Sequence, residues 1–130
     1  MRHLGFIYVI FLLFLIASCS KEEAVTVDKF NTKIELLSPR QGIKYMKGDT
    51  IFIIATITSD VSMHGYEMLL HKPNEARFSI KNKHTHGKII NINDYWVVDF
   101  AEQKTIELEL VALIDHTGNN LSEKRKVSCN

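Results

Sequence analysis

The sequence predicts an all-β fold, an Ig-like β-sandwich of about seven strands, and three observations carry that expectation. Apolar residues recur at spacing two in short blocks from Lys33 onward, no stretch keeps a helical period for more than about two turns, and clusters of Pro, Gly, Asn and Asp separate the blocks. Spacing two puts alternate side chains on one face of a strand, so each block can bury one face and wet the other.

Taken in order, residues 34–37 form the first block, and Ser38-Pro39-Arg40-Gln41-Gly42 ends it, because proline has no backbone donor and glycine allows the turn. Residues 50–58 follow Lys47-Gly48-Asp49 and align Ile51, Ile53, Ala55 and Ile57 on one face. Residues 66–71 align Tyr66, Met68 and Leu70 before Lys72-Pro73-Asn74. A short block at 77–81 precedes one at 95–100, where Trp96, Val98 and Phe100 share the core face and Tyr95 is left as the surface aromatic, a candidate platform for sugar or protein. Residues 105–114 set Ile106, Leu108 and Leu110 inward and turn Glu107 and Glu109 to water. The last block, 121–128, follows Thr117-Gly118-Asn119-Asn120, and its run Glu123-Lys124-Arg125-Lys126 suits an edge guarded against further pairing.

The first 18 residues stand apart. They hold 14 apolar residues, with Arg2 and His3 ahead of a run from Leu4 to Ala17 that is shorter than the roughly 20 residues a spanning helix needs, so they predict a signal segment. The remaining 112 residues are enough for one modest core and carry 15 Lys and Arg against 15 Asp and Glu. That balance supplies no counterion-release term, which argues against a nucleic-acid partner.

Leu15-Ile16-Ala17-Ser18-Cys19 resembles the bacterial lipobox, with an aliphatic residue three before the cysteine and small residues beside it. The resemblance implies cleavage before Cys19, lipidation of its thiol and N-acylation, hence an anchor of several acyl chains. Ser20 in place of Asp after the cysteine points to the outer membrane, and Ser20-Lys21-Glu22-Glu23 is similar to the surface-export signal of Bacteroidota lipoproteins. The expected organisation is therefore a signal peptide at 1–18, a lipidated cysteine and tether at 19–31, and one Ig-like domain at 32–130, membrane-bound through the lipid and facing an envelope or surface protein partner. With Cys19 consumed, Cys129 has no intramolecular disulfide partner.

Two further sets of residues carry a resemblance. Ile34-Glu35-Leu36-Leu37-Ser38-Pro39 with Gly42, then Gly48-Asp49-Thr50-Ile51, then Asp115-His116-Thr117-Gly118-Asn119, is similar to the bacterial Ig-like domains. The block at 66–71 followed by His84-Thr85-His86-Gly87 resembles a family of small Bacteroidota lipoproteins with an Ig-like domain and an H-x-H-G element mid-chain. The resemblance implies a fold and brings no activity with it.

Five of the six histidines lie beyond the leader: His64, His71, His84, His86 and His116. In an extended segment His84 and His86 face one side, at a spacing that Zn²⁺ or Cu²⁺ can bridge. A zinc centre needs three or four protein ligands, so a third must come from elsewhere. His71 is the expected third ligand if the segments between it and His84 form a hairpin. His116 and its neighbour Asp115 are possible additional ligands if the final loop lies at the same end of the molecule. His64 has no evident partner. Against a cation site stand Lys81, Lys83 and Lys88, which flank the pair and suit a merely solvated loop. A calcium site on Asp115, Asn119, Asp60 or Asp49 is the competing ion reading, although no loop has EF-hand spacing. No G-x-S-x-G, H-E-x-x-H or glycine-rich phosphate loop is present, so no catalytic residues are assigned and the chain is expected not to be an enzyme. The function expected is a surface or envelope lipoprotein that binds a transition metal through a histidine loop; the alternative is a structural or adhesive module in which the histidines are incidental.

Overall fold

A computed structural model describes residues 30–101 and 104–130. The signal segment, Cys19 and all of the tether but its last two residues lie outside the described residues. The fold is all-β, a curled, sandwich-like sheet with no helix among the described residues. Its strands are β1 (Lys33–Ser38), β2 (Lys44–Tyr45), β3 (Thr50–His71), β4 (Phe78–Val97), β5 (Lys104–Leu113) and β6 (Asn120–Cys129).

Two pairs of the expected seven blocks fuse, which leaves five strands, and the two-residue β2, which the sequence pattern did not announce, makes the sixth. The blocks at 50–58 and 66–71 are the two ends of β3, and residues 78–81 and 95–97 of the blocks at 77–81 and 95–100 are the two ends of β4, with residues 98–100 beyond its end, so the H-x-H-G element is strand rather than loop. β3 and β4 form one long antiparallel ribbon. Its first half pairs Thr50 with Val97 through Thr58 with Ile89, and β1 lies on the other side of β3 there. Its second half pairs Gly65 with His84 through Leu70 with Phe78, and β5 has replaced β1 as the neighbour. β6 follows β5, and the two-residue β2 runs parallel to the end of β6.

Between the halves the register breaks twice. Four residues of β3, 59–62, stand against Lys88 alone, and then β4 has the extra residue, Thr85 and His86 standing against His64. Bulges bend and twist a ribbon, and here they form the corner at which it passes from one layer to the other. Gly65 sits at that corner with φ 143°, and a Cβ there would lie 2.1 Å from the Lys83 carbonyl oxygen. Only glycine allows the two strands to approach so closely.

The alternation read from sequence holds in the core. Ile51, Ile53, Ala55, Ile57, Ile90 and Ile92 of one half face Tyr66, Met68, Leu70, Ile106, Leu108 and Leu110 of the other, all buried. Val98 is buried, and Trp96 and Phe100 are partly buried against the core, their rings 5.9 Å apart. Glu109 departs from expectation: it is buried rather than turned to water, because β5 lies between β3 and β6 and His71 of β3 covers it with a 2.6 Å contact. Two hydrogen bonds tie β6 back to β1, from the Arg125 guanidinium to the carbonyls of Leu36 and Pro39.

Candidate metal centre

The corner gathers four of the histidines. His84 is paired with Gly65 in the ribbon, and the bulge brings His86 around so that both rings meet His64. Gly65 also pairs with Leu113 of β5, so β5 ends at the same level and its loop to β6 returns over the corner. That loop carries His116. Ring centroids lie 3.9 Å apart for His64 and His116, 4.8 Å for His64 and His86, 6.1 Å for His64 and His84, and 4.6 Å for His84 and His86. His64, His84 and His86 each offer a ring nitrogen, and these nitrogens all lie within 4.8 Å of one another.

His64 is the hub. Its Nδ1 is buried without a hydrogen-bond partner, and a buried polar atom of this kind is unfavourable until something satisfies it. Its pKa lies below the ordinary histidine value because burial disfavours the cation, with repulsion from the charged forms of His116, His86 and His84 acting in the same direction. The ring is thus kept neutral near pH 7, the form in which imidazole ligates a metal. His84 and His86 are exposed, so the cluster opens to solvent.

The loop that brings His116 is shaped by Asp115. Its Oδ1 accepts from the Thr117 amide, the Thr117 hydroxyl and the Asn119 amide at 2.8, 2.8 and 3.1 Å, and its Oδ2 accepts from the Asn119 side-chain amide at 2.6 Å. Those bonds hold the carboxyl well below the usual aspartate range. Asp115 therefore spends its oxygens on the loop, and what it contributes to the corner is the placement of His116. Asp49 is likewise engaged, accepting from the Met46 amide at 2.7 Å.

Of the residues expected from sequence, His84, His86 and His116 come together and His71 does not. His71 lies at the far end of β3, six residues beyond Gly65 and so about 20 Å away along the strand, bonded to Glu109. The residue that sequence reasoning missed is His64. Its visible signal was His64-Gly65, since a glycine in a strand marks a bulge or a close backbone approach. Lys81 points to Asp94 at 3.1 Å, which directs its charge away from the histidines. Cys129 is buried, and burial pushes its thiol up from the ordinary value.

Compared with known proteins, the chain matches no family and no curated protein.

Proposed function

We propose that this chain binds one divalent transition-metal ion at His64, His84 and His86, with His116 over the site, as the metal-binding domain of a lipid-anchored envelope protein. The observation that carries the metal reading is the convergence of three ring nitrogens within 4.8 Å on a hub whose buried Nδ1 lacks a partner. The donor set narrows the ion. Among the described residues the three convergent donors are all imidazoles, a set that suits Zn²⁺, Cu²⁺ and Ni²⁺ rather than Ca²⁺ or Mg²⁺, and Cu²⁺ forms the tightest complexes among divalent ions of this kind. Lipid anchoring rests on the sequence around Cys19 alone.

The test is a calorimetric titration of the full chain, held in detergent micelles, with Zn²⁺ and with Cu²⁺. One ion per chain is expected, bound at least tenfold more weakly by the His84→Ala, His86→Ala variant and unchanged by His71→Ala, since tenfold corresponds to about 1.4 kcal/mol, well within what two lost ligands remove. Equal, weak binding by parent and double variant would overturn the reading.

A further inference from the structure

An open sheet has edges, and an uncovered edge offers a row of unpaired backbone N–H and C=O groups to another strand. In this fold the outer edge of β1 is engaged by Arg125, which takes the carbonyls of Leu36 and Pro39. β6 carries Glu123, Lys124, Arg125 and Lys126 and receives β2 at its end. Among the described residues β4 pairs with β3 alone, and no described strand covers its second side. On its first half that side is guarded by Lys81, Lys83 and Lys88 and by the bulge at the histidines.

Residues 89–97, Ile-Ile-Asn-Ile-Asn-Asp-Tyr-Trp-Val, have none of these devices. Nine consecutive pairs with β3 run without a bulge, there is no proline or glycine, and the single charge, Asp94, is held by the Tyr66 hydroxyl and the Lys81 ammonium at 3.1 Å each. The face they turn outward is apolar at its ends and polar at its centre: Ile89 is 64% exposed, Tyr95 65% and Val97 44%, with Asn91 and Asn93 between them. Phe52 and Ile54 of β3, paired with Tyr95 and Asn93, continue this exposed surface across the ribbon.

We propose that residues 89–97 pair antiparallel with the same segment of a second copy of this chain, about a two-fold axis through Asn93. The segment is self-complementary in that register. Ile89 of each copy meets Val97 of the other, Asn91 meets Tyr95, and Asn93 meets its own equivalent, where two amides can both donate and accept. No like charges oppose one another, and the chain's net charge of +1 adds little repulsion between copies. An isologous contact of this kind closes on itself and leaves no new edge to propagate at the two-fold. Nine paired residues fall short of the roughly 1,200 Å² that stable interfaces bury, so the dimer is a reversible one that forms as concentration rises.

The test uses the full chain in detergent micelles. Sedimentation equilibrium should show a monomer–dimer equilibrium, and Asn93→Lys, which sets two ammonium groups opposite each other at an exposed position, should weaken it roughly tenfold while leaving the circular dichroism spectrum unchanged. In a Cys19→Ser background, Asn93→Cys should form a disulfide-linked dimer under mild oxidation, because residues facing each other across a strand pair lie within bonding reach. Asn82→Cys, on the lysine-guarded half, should not. A chain that stays monomeric at all concentrations, a dimer that Asn93→Lys leaves intact, or equal cross-linking at both positions would overturn the proposal. None of these readouts depends on whether metal binds at the corner.

Discussion

Gly65 carries more of this site than any residue without a side chain could be expected to. Its φ of 143° and the 2.1 Å gap between a Cβ and the Lys83 carbonyl oxygen make alanine both strained and obstructed there, and its chain neighbour is His64, the hub of the four rings. Gly65→Ala should therefore cost about 1–3 kcal/mol of stability, the range for forcing extra atoms into a packed site, and should weaken metal binding in parallel by moving β4 away from His64. Urea unfolding beside a metal titration checks both; an alanine variant with parental stability would show that the corner relaxes freely. His64 was hard to recognise from sequence for a related reason. The spacing rule that pairs His84 with His86 works within one strand, whereas His64 joins them across two strands through a bulge that no local pattern announces.

Among the elements, β5 shows best how burial and pairing set a charge. Burial alone would raise the Glu109 pKa, but hydrogen bonds from His71 and Ser122 and the charge of Lys124 outweigh it, and the carboxyl titrates below its ordinary value of 4.5. A carboxylate whose folded pKa is depressed contributes stability that is complete above the unfolded value and is lost as pH falls through the folded one. Stability should thus decline on acidification below about pH 4.5, and Glu109→Gln should flatten that part of the profile while costing about 2 kcal/mol at pH 7, the scale of a lost hydrogen bond to a charged group. Unfolding curves across pH 3 to 7 decide it, and an unaltered acid limb in the variant would remove Glu109 from the account. The same pair explains why His71 does not reach the other histidines: β3 is one continuous strand, so the residue at its end is held six positions from the corner.

For the molecule as a whole, the core and the histidine corner are separable. Eighteen buried residues form one apolar cluster that includes both halves of the ribbon, β5 and the end of β6, and none of the four clustered histidines belongs to it. Removing metal should leave the chain folded with a cooperative transition, read by the fluorescence of Trp96 against Phe100, and metal at a hundredfold excess over its Kd should raise stability by about 2.7 kcal/mol through mass action. Loss of the fold on chelation would mean instead that the ion is structural. The open edge of β4 belongs to this scale too, since it exists only because β1, β5 and β6 all lie on the opposite side of β3.

The all-β class, the faces of the strands and most of the turns were legible in the sequence, because alternation at spacing two and the chemistry of Pro, Gly and Asn act between residues close in the chain. His84 and His86 were legible for the same reason. Two decisions required the tertiary structure. One was that the expected blocks fuse into a single bent ribbon, since a bulge keeps a strand continuous through residues such as Ser59, Asp60 and His86 that break its alternation. The other was which histidines meet, since that depends on Gly65 standing level with both His84 and Leu113, a register set by long-range pairing that brought in His64 and His116 and left His71 beside Glu109.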